Sequence, residues 1–364
     1  MRRAGQRWLE WGSRVLLAVA PLLLLECGLR LAGYHYQPPP IAFIGNHDEH
    51  LTEPHYYLRP SIISLWELRP RARLPLSMKG HINRDGYRGP HLGPLPAPGT
   101  LRMALAGDSC ALGYGLRLEQ SIAYRLQQKL AASLNRPVEV LNAGCTGHST
   151  VLTYERLKAG VFDYHPRFVV LYVGQWNDYV PALGFTDREA LQAARRRSRI
   201  TALQGVLSHL RTYELLKSAL EPLLRGRRPI PQEQQAIADF RAGMEPALRR
   251  VPLEEFRATV AETVRLCRQH GAVPVGLIPP LSRVTLTKTP VAQTYRKALI
   301  EVYRRLRVPL VDARPLDGRP EAFIDWIHPS AWGADLIAQG LSLKLAELAA
   351  APPAPGRVAR QGRQ

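Results

Sequence analysis

From Thr100 onward, short apolar runs alternate with longer stretches in which apolar positions recur every three or four residues. Leu101–Ala106, Val138–Leu141, Phe168–Val173, Val273–Ile278 and Val308–Val311 have the length and composition of strands. Ser121–Leu134, Leu253–His270, Val291–Leu306 and Ala331–Ala349 carry the helical period. Strand-then-helix repetition predicts an α/β fold whose five-stranded parallel sheet is covered on both faces. In such a sheet the functional groups gather where strand C-termini open into loops.

Other stretches break this rhythm. An uninterrupted apolar run from Val15 to Leu25 continues through Glu26 and Arg30 to Ala32, and Arg2, Arg3, Arg7 and Arg14 precede it. As a helix, Ser13 to Ala32 would be about 30 Å long, close to the hydrocarbon thickness of a bilayer. The reading is a basic cytoplasmic segment, 1–14, and a single-pass transmembrane anchor, 15–33, with the remainder on the periplasmic or extracytoplasmic side. A cleaved signal peptide would need small residues around Leu29–Tyr34, and lipoprotein processing would need one where Glu26 precedes Cys27.

Residues 34–99 read as an irregular, partly β connecting segment, and the turn formers from Asn83 to Pro90 should give it a defined exit. Between 181 and 250 no good strand appears, only helical periods with arginine clusters at 195–199 and 225–228. This predicts a helical insertion over the strand-end face: a solvated surface, a lid, or a surface for anionic glycan or lipid headgroups. The Pro-rich basic tail, 351–364, reads as disordered.

Composition narrows the function. With 46% hydrophobic and 22% charged residues in 364, the chain has material for a sizeable core. Its +19 net charge comes from 49 basic against 30 acidic residues, but only seven of the basic ones are lysines and the arginines are spread through most of the chain. Without a basic block interleaved with aromatics, zinc-finger spacing or a helix-turn-helix pattern, nucleic acid is not the expected partner. Four cysteines, Cys27, Cys110, Cys145 and Cys267, are too few and scattered for a disulfide scaffold. His47, Asp48, Glu49, His50 and His55 lack a strong metal-ligand signature and read as a solvated loop.

Four segments carry candidate chemistry. Gly107-Asp108-Ser109 follows the first strand and would present a hydroxyl at the sheet edge, near the positive end of a helix. Asn142-Ala143-Gly144-Cys145-Thr146-Gly147 follows the second, and its glycines permit close backbone approach to a substrate oxygen. Gly174-Gln175-Trp176-Asn177-Asp178 follows the third and offers an amide donor. Asp325-Trp326-Ile327-His328-Pro329 sets a carboxylate three residues before an imidazole, close enough to hold one ring nitrogen while the other faces a serine.

In this order the four blocks resemble those of the SGNH (GDSL-type) hydrolases, spread between Leu101 and Ala349, and the N-terminal run with Asn83–Gly89 resembles the membrane-tethered bacterial branch of that family. The resemblance implies a flavodoxin-like α/β/α sandwich over 100–350 and acyl-ester chemistry without metal or organic cofactor. It matches Ser109 to the nucleophile, His328 to the base and Asp325 to its orienting partner. Gly147 and Asn177 match the oxyanion contributors that act with the Ser109 backbone N–H. The third block departs from the pattern, with Gln175 where the family has glycine and Gly174 one place earlier.

Cys110 and Cys145 are also unusual. If their loops are neighbours, they either form a disulfide or pack as two buried thiols; Cys110 is an alternative nucleophile, but the matched block assigns that role to Ser109. The implied function is a membrane-anchored esterase or acyltransferase acting on O-acyl groups, O-acetyl foremost, of an envelope glycan or lipid-linked sugar. The competing reading is a non-catalytic protein that binds acylated glycan or organises an envelope assembly.

Overall fold

The computed structural model describes residues 2–34, 57–182, 184–224, 239–240, 246 and 248–350. Helix α1 (Arg2–Leu31) is followed by a two-stranded antiparallel hairpin, β1 (Leu58–Ser61) and β2 (Leu65–Leu68), in which Leu58 faces Leu68. Then come β3 (Leu101–Gly107), α2 (Ser109–Leu112), α3 (Ile122–Leu134), β4 (Val138–Asn142), α4 (Thr150–Lys158), β5 (Phe168–Tyr172) and α5 (Trp176–Tyr179). Helices α6 (Asp187–Arg196), α7 (Ser198–Leu207) and α8 (Arg211–Leu224) are followed by α9 (Leu253–Gln269) and β6 (Val273–Ile278). The chain continues with α10 (Arg283–Lys288), α11 (Val291–Arg305), β7 (Leu310–Asp312) and α12 (Ala331–Ala350).

Strands β3 to β7 form one parallel sheet in the order β4-β3-β5-β6-β7. Numbered within the sheet this is 2-1-3-4-5, the flavodoxin-like doubly wound order. Alternation along β3 divides the core. Met103 and Leu105 face Leu126 and Leu130 of α3 and Ile337 and Leu341 of α12, whereas Ala104 and Ala106 face α4, α9 and α11. Each of those leucines is fully buried and contributes roughly 1.5–3 kcal/mol by leaving water. The expected α/β/α sandwich is present.

Differences from expectation have local causes. The last strand starts at Leu310 and not Val308, because Arg307 turns left-handed and the Val308 N–H closes α11 on Tyr303 O at 2.9 Å. Helix α4 shows no apolar stripe in the sequence because it is buried along most of its length. Between β5 and β6 the described part of the insertion is helical. Its neck is closed by antiparallel pairing, with Ala182 N–H on Leu248 O (2.8 Å) and Arg250 N–H on Val180 O (3.0 Å).

The N-terminal expectation needs correction. Among the described residues no helix is long and apolar enough to cross a membrane. The uncharged run from Val15 to Leu25 lies between Arg14 and Glu26, and eleven helical residues rise only about 16 Å. Glu26 and Arg30 pair at 2.6 Å and turn toward α8, where Glu26 accepts from the Thr212 N–H at 2.8 Å and Arg30 donates to His209 O at 2.8 Å. The histidine-rich loop at 47–55 and the tail 351–364 lie outside the described residues. No group of three or more metal-ligating side chains occurs among the described residues.

Candidate active site

Ser109 stands at the junction of β3 and α2. Gly107 makes the junction possible, because a Cβ there would lie 2.2 Å from Tyr172 O on β5. Asp108 caps α2, its Oδ1 accepting the Cys110 N–H at 2.8 Å, so Ser109 opens the helix with its hydroxyl at the strand end. The other end of α2 is held by Arg88. Its guanidinium donates to Leu112 O (2.9 Å), Gly113 O (2.6 Å), Met78 O (2.9 Å) and Leu116 O (2.5 Å). Burial lowers the Arg88 pKa to about 10.

His328 reaches Ser109 from 219 residues away, its Nε2 lying 2.8 Å from Ser109 Oγ. Its Nδ1 lies 2.5 Å from Asp325 Oδ2. Asp325 Oδ1 accepts the Ile327 and His328 N–H groups at 2.7 and 2.6 Å, so one carboxylate both folds the loop and orients the ring. Burial opposes its ionisation. The attraction of His328 and the hydrogen bonds from His328 and Ile327 outweigh that, and hold its pKa below the ordinary value. An ionised Asp325 can only accept, which places the proton on Nδ1 and leaves Nε2 to receive the serine hydroxyl. Tyr114 covers the imidazole, with ring centroids 4.8 Å apart.

The two glycine-block loops close on the same strand ends. The Cys145 N–H donates to Gly107 O at 3.1 Å, and a Cβ on Gly144 would lie 2.3 Å from Leu112 N, so this loop packs directly on α2. Gly147 lies in the left-handed region at φ +76, where glycine is favoured. Asn177 Nδ2 donates to Asp108 Oδ2 at 3.3 Å, next to the nucleophile, despite the shifted glycine of its block. The altered block turns instead on Gly174, at φ +85, whose N–H donates to Asp178 Oδ2 at 3.1 Å. The structure thus sets Ser109, His328 and Asp325 in one hydrogen-bonded line, with Asn177 beside the Ser109 turn and Gly147 joined to Asn177 through Arg250.

Cys110 and Cys145 resolve in favour of buried thiols. All four cysteines are free, and Cys110 Sγ lies 3.7 Å from Ile327 O. Burial pushes the Cys110 thiol well above its usual pKa, the opposite of what a thiolate nucleophile needs.

Several supporting residues were not anticipated. Asp178, beside Asn177, accepts the Thr150 N–H (2.7 Å) and hydroxyl (2.9 Å), tying the third block to the start of α4. Burial raises its pKa to about 7. Trp66, on β2, donates from Nε1 to Thr146 O at 2.8 Å, and Tyr57 bonds the Thr146 hydroxyl at 2.9 Å. Arg250, in the neck of the insertion, reaches both Gly147 and Asn177. Asp178 and Thr146 lie within the blocks that carry candidate chemistry, whereas no motif singles out Tyr57, Trp66 or Arg250.

No protein-family model and no curated protein matches the chain. Solved structures similar to it include a lipase/acylhydrolase from Enterococcus faecalis, at 15% identity and TM-score 0.43, over 68% of this chain and 96% of that one. The psychrotrophic esterase EstA from Pseudoalteromonas sp. is similar at 13% identity and TM-score 0.41, over 68% and 98%. The acetylxylan esterase Axe2 from Geobacillus stearothermophilus is similar at 12% identity and TM-score 0.42, over 67% and 94%.

Proposed function

We propose that this protein is a serine-dependent esterase or O-acyltransferase of the SGNH type, acting on O-acyl, foremost O-acetyl, groups. The observation that carries this reading is the continuous hydrogen-bonded line from Ser109 Oγ through His328 to Asp325, with separations of 2.8 and 2.5 Å. In the proposed reaction His328 Nε2 takes the Ser109 proton as Oγ attacks the ester carbonyl, and Asp325 stabilises the imidazolium that forms. The Ser109 and Gly147 N–H groups and the Asn177 amide receive the developing oxyanion, each donor worth about 3 kcal/mol of barrier. Collapse of the intermediate returns the proton to the departing alcohol and leaves acyl-Ser109. Water then gives hydrolysis, and a sugar hydroxyl gives transfer.

A location in the envelope, with α1 lying along a membrane surface and not crossing it and the catalytic body on the periplasmic or extracytoplasmic side, is part of the proposal. Arginines precede the apolar run, and Leu17, Leu22, Leu23 and Leu24 are exposed on α1. In that setting an envelope glycan or lipid-linked sugar is the substrate class proposed.

The test is intact-mass analysis of wild type and Ser109→Ala with a fluorophosphonate probe and with acetylated sugar donors, with and without an acceptor glycan. Wild type is expected to gain one phosphonyl or acetyl group, and Ser109→Ala none. No adduct on wild type, or one retained by Ser109→Ala, refutes the reading. Acetyl-enzyme that passes its acetyl group to the acceptor identifies transfer, and release of free acetate alone identifies hydrolysis.

A further inference from the structure

We infer that Arg250, held by Asp187 and covered by Trp66, is a positioning residue that sets the direction of the Asn177 oxyanion donor and, together with Trp66, steadies the Gly147 turn beside it. The inference rests on the serine-enzyme reading above. Arg250 belongs to the neck of the helical insertion, and its side chain is 1% exposed. A buried guanidinium needs a counter-charge and hydrogen-bond acceptors for its donors. Asp187, in the first turn of α6, supplies the charge through a fork: Nε to Oδ1 at 2.9 Å and Nη2 to Oδ2 at 2.7 Å.

Two further contacts run toward the reaction centre. Nη1 lies 3.4 Å from Asn177 Oδ1, and Nη2 donates to Gly147 O at 3.0 Å.

The chemistry of each contact defines a direction. The two ends of an asparagine amide are nearly equal in size, so packing alone does not decide which end faces the nucleophile. A guanidinium has donors and no acceptor and therefore tolerates only the oxygen end. With Oδ1 committed to Arg250, Nδ2 faces Asp108 and hence the Ser109 turn, at 3.3 Å from Asp108 Oδ2. One of the two amide N–H bonds serves Asp108, and the other serves a substrate oxygen.

At Gly147 the brace is two-sided. In a trans peptide the carbonyl and the N–H point in opposite directions. Trp66 Nε1 binds Thr146 O at 2.8 Å and so aims the Gly147 N–H of the same peptide plane away from the indole. Arg250 holds the next carbonyl, that of Gly147, while its guanidinium carbon sits 5.7 Å from the centre of the Trp66 ring.

The same contacts give the insertion and the N-terminal hairpin a shared role. The hairpin supplies Trp66, the insertion supplies Arg250 and Asp187, and the two meet over the glycine turn. Paired stems on both sides of the insertion hold Arg250 in register, since its own N–H donates to Val180 O at 3.0 Å and its carbonyl accepts the Asp187 N–H at 2.8 Å.

The experiment measures the pre-steady-state acylation rate and KM with p-nitrophenyl acetate, together with fluorophosphonate labelling, on full-length protein. The variants are Arg250→Met, Arg250→Lys, Asn177→Ala and the double variant Arg250→Met/Asn177→Ala. Arg250→Met is expected to slow acylation about 30- to 100-fold with KM changed less than about threefold, because a misdirected donor forfeits much of its roughly 100-fold effect. Arg250→Lys keeps the charge and is expected to recover part of the rate. In the Asn177→Ala background the same Arg250→Met change is expected to cost less than about fivefold, since the amide it directs is gone.

Full penalties that multiply in the double variant overturn the inference. So does a loss confined to KM or to melting temperature. If Arg250→Met does not fold, Arg250→Lys and Asp187→Asn carry the same comparison with Asn177→Ala. Wild type that reacts with neither reagent overturns the enzyme reading and this inference with it. Wild type that reacts while the Arg250 variants react equally overturns this inference alone.

Discussion

Asp325→Asn separates the two jobs of one carboxylate. Oδ1 accepts two backbone N–H groups, from Ile327 and His328, while Oδ2 alone faces the imidazole Nδ1. Asparagine can keep its carbonyl where Oδ1 stands and so preserve the turn, but its amide nitrogen then faces Nδ1. A donor there forces Nδ1 to be unprotonated and moves the proton to Nε2, which then points a hydrogen at Ser109 Oγ and cannot accept one.

The comparable substitution in the chymotrypsin-type triad costs about 10⁴ in kcat. That factor corresponds to about 5 kcal/mol of barrier, and a similar loss is expected here with little change in melting temperature. Asp325→Ala is expected to show the same kinetic loss and, in addition, a loss of stability. It removes two hydrogen bonds to a charged group, each worth about 1.5–3 kcal/mol, from a carboxylate that is only 4% exposed.

The sign with pH follows from the lowered Asp325 pKa. The stabilisation is fully present above the unfolded carboxylate value of about 4 and is lost as pH falls through the lower folded value. The stability gap between wild type and the alanine variant therefore closes only in acid. Stopped-flow burst kinetics and thermal melts at several pH values test this. A burst within tenfold of wild type in Asp325→Asn, or an alanine variant as stable as the asparagine one at neutral pH, refutes the division of labour.

Two further substitutions test the supports around the site. Arg88→Met leaves Leu112 O with Asn142 Nδ2 at 3.2 Å and Gly113 O with the Leu116 N–H at 3.2 Å, but removes the guanidinium from Met78 O and Leu116 O. At about 1–3 kcal/mol per carbonyl stripped of its donor, the expected loss is roughly 2–6 kcal/mol, and an unchanged urea midpoint refutes it. Asp178 carries the opposite pH sign from Asp325, because burial raises its pKa to about 7. Between about 4 and that value the folded chain holds a proton that the unfolded chain has released, so this group's contribution to stability falls as pH rises. Asp178→Asn is expected to flatten that part of the profile, and melting curves whose pH dependence matches wild type from pH 5 to 8 refute it.

What was legible in the sequence follows the range of the interactions involved. Met103 and Leu105 against Ala104 and Ala106, or the spacing of Leu126 and Leu130, express burial through near neighbours, and periodicity reveals it. Ser109, Gly147, Asn177 and the Asp325–His328 pair were legible because each follows a strand end or sits in a short block whose spacing carries chemistry. The connecting segment and the insertion offered no such pattern, since what they contribute is carried by single side chains acting at long range. Trp66 acts 80 residues away on Thr146, and Arg250 acts 103 residues away on Gly147.

A buried arginine is illegible for a further reason. In a chain with 49 basic residues, nothing local marks Arg88 or Arg250 as different from an arginine in solvent. Even the cluster at 195–199 divides on inspection, for Arg195 spends its charge on Glu155 at 2.6 Å and on the Ile62 and Ile63 carbonyls of the hairpin. Arg195 and Arg250 are therefore internal fastenings, holding the hairpin and the insertion against the loops that carry the reactive groups.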